Sequence, residues 1–191
     1  MRSVILCLLA FALLPTQSQA QAPVFETVPG ASTIKFYVKS SVALTGQFNQ
    51  WHATLNFKSR DVSTGTLDIR IAAATVNTGS GMKDGKLKSK DFFDVDRNPW
   101  ITFHSTKVIQ TGPASFDVLG NFSIRGVSKP ETLKLDITGK GTGSGTIKGI
   151  MAFDRKDYGM TKGIPFIKIA DRVEVDVDLK VQQVGGPRLV Y

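Results

Sequence analysis

The chain has 191 residues, with 24 Lys and Arg against 16 Asp and Glu, a formal net charge of +8 and a single cysteine. That length suits one domain with a real core, and the basic balance favours anionic partners such as phosphate head groups or a membrane surface. Because Cys7 lies in the first apolar run, residues 21–191 contain no cysteine, which excludes disulfides, thiolate zinc sites and cysteine nucleophiles there.

The N-terminus reads as a secretory signal peptide over residues 1–20. Arg2 precedes an apolar run from Val4 to Leu14, and Pro15 and a polar stretch then lead to Ser18-Gln19-Ala20, a small-x-Ala cleavage site. The run is too short to span a bilayer. Cys7 sits away from the cleavage point, which argues against a lipoprotein anchor. The expected destination is the periplasm, with residues 21–191 forming a single domain. Export and the lack of any recognisable nucleic-acid module argue against nucleic acid as the partner of the basic chain.

Apolar and polar side chains alternate with a period of two in eight runs, the pattern of half-buried antiparallel strands. Thr33 to Lys39 turns Ile34, Phe36 and Val38 to one face, Trp51 to Phe57 turns Trp51, Ala53, Leu55 and Phe57, and Thr66 to Ala72 turns Leu67, Ile69 and Ile71. Trp100 to Thr106 contributes Ile101 and Phe103. Phe116 to Ile124 contributes Phe116, Val118, Phe122 and Ile124, and Glu131 to Ile137 contributes Leu133, Leu135 and Ile137. Thr146 to Phe153 supplies Ile147, Met151 and Phe153, and Arg172 to Val181 supplies Val173, Val175, Val177, Leu179 and Val181. The pattern predicts an all-β domain but leaves a sandwich and an up-and-down barrel open. Leu119, Ile150 and Ala152 break the polar outer faces, so the Met82 to Phe93 segment or a second subunit is expected to cover them.

Residues 79–98 do not alternate. Met82, Leu87 and the pair Phe92-Phe93 are spaced as a short helix and turn around residues 80–95, and Lys83, Lys86, Lys88 and Lys90 cluster there as a solvated face or an anion site. Gly139 to Gly145 lacks the ending and position of a phosphate-binding loop and reads as a hairpin loop. The tail from Gln182 reads as irregular.

A catalytic constellation is missing from the sequence. His52 and His104 fall on polar strand faces with no second histidine near in sequence. Asp91, Asp94 and Asp96 match no calcium-loop spacing and suit turn formation and pairing with Arg97 or a lysine, and no serine has a nucleophile-elbow context. No metal and no catalytic residue is expected.

Several longer stretches carry a resemblance. Asp84 to Val95 with Pro99 to Phe103, Gly46-Gln47-Phe48, Gly120 to Pro130 and Phe153 to Met160 together resemble the YceI-like family of periplasmic polyisoprenoid-binding proteins. The resemblance implies an eight-stranded antiparallel lipocalin-like barrel enclosing a long prenyl chain, polyprenyl phosphate or isoprenoid quinone, as carrier or scavenger. The lining expected on that basis is Phe36, Val38, Leu55, Phe57, Ile69, Ile101, Phe103, Phe122, Ile124, Leu133, Met151, Phe153, Val175 and Val177, with Lys86, Lys88 and Lys90 toward a head group. No cofactor beyond the lipid is implied. The partners expected are the isoprenoid lipid, a membrane surface or a membrane electron-transfer protein, and a dimer is compatible. Two positions depart from the family pattern: Val28 to Ser32 replaces a segment that commonly carries histidine, and Lys86 replaces a second histidine. The competing readings are an interaction protein with a filled, ligand-free core and a lipid-modifying enzyme.

Export with cleavage after Ala20 predicts that amino-terminal sequencing of the periplasmic protein begins at Gln21. An intact Met1 start in the membrane fraction would contradict it.

Overall fold

The structure is a computed structural model that describes residues 22–41, 44–139, 141–163 and 167–190. The leader expected over residues 1–20 lies outside the described residues. Among the described residues, eleven strands form one antiparallel sheet: β1 (Val24–Thr27), β2 (Thr33–Ser40), β3 (Leu44–Phe48), β4 (Trp51–Asn56), β5 (Thr66–Ala72), β6 (Val76–Asn77), β7 (Trp100–Gln110), β8 (Ser115–Ile124), β9 (Val127–Thr138), β10 (Ser144–Asp154) and β11 (Ile169–Gly185). All eight expected runs are strands. The expected count of eight is corrected to eleven by β1, β3 and β6, whose four, five and two residues are too short to display an alternation. The tail is also more regular than expected, since β11 continues to Gly185.

The strands follow one another around the sheet in the order β4-β5-β7-β8-β9-β10-β11-β2-β3-β6. The seventeen-residue β11 organises the curl. One of its edges pairs with β10 from Arg172 to Gln182, while other pairings join it to β2 and, farther along, to β1, with Val24 opposite Gly185. The sheet therefore rolls into a lipocalin-like barrel, and the sandwich alternative falls away. Closure between its two ends rests on packing and a few polar contacts. Thr27 Oγ1 on β1 reaches the Ala53 carbonyl on β4 at 3.5 Å, the rings of Phe25 and Phe57 meet edge to face at 5.8 Å, and the Asn49 amide donates to the Thr75 carbonyl.

Period-two alternation puts one side of every long strand inside. Inward residues such as Ile34, Leu67, Phe116, Val118, Leu133 and Leu179 are buried, and Leu179 has no exposure. Gly149 and Gly120 are inward positions where neighbours occupy the side-chain space. A Cβ at Gly149 would lie 2.8 Å from Leu135 Cδ2, and one at Gly120 would lie 2.6 Å from the His104 carbonyl oxygen.

The helical insertion is α1 (Gly81–Lys88) followed by turns. The Asp84 carboxylate anchors the first turn by accepting from the Thr78 amide at 2.8 Å and its hydroxyl at 2.7 Å. Lys86 and Lys88 lie in the last turn, where their charge suits the helix dipole. Leu87 is the buried helix residue, whereas Met82 is 88% exposed. Packed against β6, α1 does not shield the outer apolar positions. Leu119 and Ala152 are half-buried, and Ile150 is 61% exposed beside its cross-strand partners Lys134 and Asp176. Of the two covers expected for Leu119, Ile150 and Ala152, the Met82 to Phe93 segment leaves Ile150 exposed, and a second subunit is the alternative that stands.

Gly120→Ala is expected to cost about 1–3 kcal/mol by overpacking against backbone. Gly85→Ala, in a helix interior with open space around it, is expected to stabilise by about 0.5–1 kcal/mol through helix propensity. Chemical denaturation of the two variants checks both signs.

Candidate functional site

Among the described residues, apolar cavities lie along the barrel, three of them at successive levels. The one at the helix end, about 60 Å³, is walled by Ile34, Phe36 and Val38 of β2, Leu44 and Phe48 of β3, Ile71, Ile101, Phe122, Ile124, Phe153, Ile169, Val173 and Val175, with Leu87, Phe92, Phe93 and Met160 also in its lining. A central cavity of about 30 Å³ shares Ile34, Ile71, Phe122 and Val175 with it and adds Ile69, Thr102, Phe103, Leu133, Met151 and Val177. The third, about 80 Å³, lies toward the β9–β10 loop and has none of the central cavity's lining residues.

Local hydrogen bonding positions the Leu87-Phe92-Phe93 wall. The amides of Phe93 and Val95 donate to the carbonyls of Leu87 and Lys88, and Asp94 takes a φ of 51° so that its carbonyl accepts from Arg97 and Asn98. The chain doubles back, and both phenylalanines are buried. Phe93 stacks 6.0 Å from Phe48, which lies 5.7 Å from Phe36. A second aromatic group joins Phe122, Phe153 and Tyr158, with centroids 5.0 to 5.5 Å apart. Tyr158 has no exposure and its hydroxyl donates to Glu131 at 2.9 Å. Burial, followed by that acceptor, pushes its phenol well above the usual range.

The charged group in the helix-end lining is Arg155, 6% exposed. It opens the 3-10 turn Arg155–Tyr158, which is capped by the Asp154 carboxylate on the Lys156 amide and closed by Gly159 at φ 76°. Its guanidinium donates to the carbonyls of Met160, Lys162 and Ala170 and pairs with Asp171 at 2.9 Å. Lys156, 2.6 Å from the same carboxylate, and Arg155 hold the Asp171 carboxyl below the usual range. Arg155 thus fastens the segment beyond β10 to the start of β11, and its hydrogen-bonding capacity is committed to the protein. A flanking Asp154 and Asp157 make this arginine read as a surface turn in the sequence, and only its place in the Phe153 to Met160 motif hints otherwise.

The structure brings seven of the expected lining residues, Phe36, Val38, Ile101, Phe122, Ile124, Phe153 and Val175, to the helix-end cavity. Ile69, Phe103, Leu133, Met151 and Val177 join the central one. Leu55 and Phe57 are half-buried and line the third cavity. Alternation did not reveal Leu44, Phe48 or Met160, and although it left Leu87, Phe92 and Phe93 as a helix face, it could not place them in the lining. None of Lys86, Lys88 and Lys90 is in the lining: Lys86 pairs with Asp91 at 2.7 Å, and the Lys90 carbonyl accepts from Arg125. His52 and His104 are exposed, with His104 bonded to Asp68. Among the described residues, no group of three or more His, Cys, Asp or Glu is placed to hold a metal ion, and no helix is long and apolar enough to cross a membrane.

Fold and cavities together define a lipocalin-like barrel with an apolar interior and a buried arginine at one end. The chain belongs to the YceI-like family, whose YceI-like domain matches residues 25–181. A UPF0312 protein of Shewanella denitrificans is 30% identical over 156 residues, covering 78% of this chain and 81% of that one. One from Pseudomonas aeruginosa is 35% identical over 98 residues, and the chain spans about half the length of the Pseudomonas relatives it matches, 51%. Among solved structures, Burkholderia cenocepacia BcnA superposes with a TM-score of 0.74 at 22% identity, over 81% of this chain and 99% of that one. A polyisoprenoid binding domain from Saccharophagus degradans superposes at 0.67 and 16% identity, over 84% and 99%. At these identities the structural likeness concerns the fold.

Arg155→Leu strands three carbonyls and one carboxylate, and is expected to cost about 3 kcal/mol, with Arg155→Lys intermediate in thermal melts. Asp171 adds a pH dependence. Its folded value lies below its unfolded one, so its contribution is complete above the ordinary carboxylate range and is lost as pH falls through the lowered value. Hydrogen-exchange protection factors, corrected for intrinsic rates, should therefore fall in residues 155–162 below about pH 4.

Proposed function

We propose that the helix-end and central cavities enclose the hydrocarbon of an isoprenoid lipid, a polyprenyl phosphate or isoprenoid quinone, and that the protein is an exported carrier or scavenger rather than an enzyme. The observation that carries this reading is the combined lining of the two cavities, which meet at Ile34, Ile71, Phe122 and Val175: among the described residues it is apolar apart from Thr102 and Arg155, and Arg155 is already bonded to protein groups. Such a wall binds by burial, worth about 0.8 kcal/mol per methylene-sized group, and needs few polar contacts. The Saccharophagus degradans fold neighbour, a polyisoprenoid binding domain, supports the same ligand class.

At about 60 and 30 Å³ the cavities hold only a few carbons as they stand. Admitting a long chain requires the Phe92-Phe93 wall to move outward and the adaptable Met151 to repack. Lys86 is committed to Asp91, so assistance to an anionic head falls to Lys88 and Lys90. Exchange would take place at a membrane surface or with a membrane electron-transfer protein.

The small volumes favour one second reading, an interaction protein with a filled core. Mass spectrometry of an organic extract from the natively purified protein separates the two, and a prenyl lipid at near-stoichiometric yield is expected. Phe122→Asp should abolish lipid retention while circular dichroism still reports a barrel, because it buries a charge beside hydrocarbon. Replacing Lys88 and Lys90 with Gln should weaken only anionic lipids, by an amount that shrinks at high salt. Extracts free of lipid under all growth conditions would establish the filled core.

A further inference from the structure

The cavity toward the β9–β10 loop shares no lining residue with the other two: along β11 the fully buried Leu179 falls between Val177 of the central cavity and Val181 of this one, and beside Gly149 Leu133 lines the central cavity while Leu135 lines this one. Its depth is apolar, with Phe25, Phe57, Val108, Leu135 and Ile147 among its walls. Polarity is confined to its rim. One side of that rim is the β9–β10 loop, where the side-chain positions of Gly141 and Gly143 face open space. On the other side, the residues after β11 form a strap. The Val190 amide donates to the Arg60 carbonyl at 2.7 Å, the Val62 amide donates to the Val190 carbonyl at 3.2 Å, and Gln183 Nε2 donates to the carbonyls of Gly186 and Pro187.

The strap sets a cation over an apolar hole. Among the described residues, Arg188 is the charged one in the cavity lining. Its side chain is exposed, its carbonyl is held by Arg60 Nε at 3.0 Å, and its guanidinium has no hydrogen-bond or ion-pair partner among the described residues. The neighbouring carboxylate, Asp61, is turned to the Ser63 amide at 2.8 Å. An enclosed cavity of roughly 150 Å³ holds a benzene-sized guest. At about 80 Å³, this one fits the last few carbons of a chain that enters from the rim and leaves its head outside. An arginine at the rim selects a carboxylate or phosphate head through charge-assisted, bidentate hydrogen bonds.

We infer that this end of the barrel is a second, independent site for a single-chain anionic amphiphile, with the alkyl tip in the cavity and the head on Arg188. The site goes beyond the long-chain reading, because it opens at the opposite end and shares no lining residue with the central cavity.

The test titrates decanoate, decyl phosphate and decanol into the full chain labelled at Ile, Leu and Val methyls, followed by NMR. The two anions are expected to shift the methyls of Val108, Leu135 and Ile147 saturably while those of Ile101 and Ile124 stay in place, with decanol at least five-fold weaker. The tighter of the two anions identifies the head as carboxylate or phosphate. Arg188→Gln, an exposed substitution outside the core, should weaken both anions at least five-fold and leave decanol unchanged. The inference is overturned if no saturable shift occurs, if shifts are confined to Ile101 and Ile124, or if Arg188→Gln has no effect on the anions. None of those results bears on whether native extracts contain a prenyl lipid, so the two readings fail separately.

Discussion

The pairing of β11 with three other strands is the constraint on which the rest of the barrel depends. Its Val173, Val177, Leu179 and Val181 point inward without interruption, so its inner side can be buried only if partners on both edges curl toward it. β10 supplies one edge over eleven residue pairs, and β2 and β1 pair with successive stretches beyond it. Along β11 the fully buried Leu179 falls between Val177, which lines the central cavity, and Val181, which lines the cavity toward the β9–β10 loop. A polar residue at 179 would be fully buried, where an unpaired polar group is costly.

Alternation made the long strands legible. From Phe116 to Ile124 and from Arg172 to Val181 it assigned an inner and an outer face that the structure keeps. It could not reveal depth along the barrel, because a period of two fixes only the side on which a residue lies. Leu55 and Phe57 therefore looked equivalent to Phe122 although they face a different cavity, and the separation of the two sets of lining residues had no sequence signal. The short strands β1, β3 and β6 are defined by the partner that reaches them. Thr45-Gly46-Gln47 becomes a strand because β2 lies beside it, and a Cβ at Gly46 would lie only 2.5 Å from the Phe36 ring.

Charge was the least legible property. The lysines at 83, 86, 88 and 90 look like an anion site when counted along the chain, yet Asp84 and Asp91 are folded back among them, and Lys86 is spent on Asp91. Arg155 shows the opposite error, since a charge flanked by aspartates turns out to be buried and to tie three carbonyls and a carboxylate together. In both cases sequence neighbours were a poor guide to spatial neighbours, because turns bring together residues five to sixteen positions apart.

The pairing of Val24 with Gly185 also has a consequence for how the molecule forms. A chain emerging from its N-terminus presents β1 and β2 first, but the partner of β1, and of the edge of β2 that does not meet β3, is the last strand to appear. Those edges must wait for nearly the whole sequence, and the loop-closure entropy of that pairing is met late. Closure of the barrel by an N-terminal fragment is therefore ruled out by topology, since the strand that joins β1 to the sheet comes last.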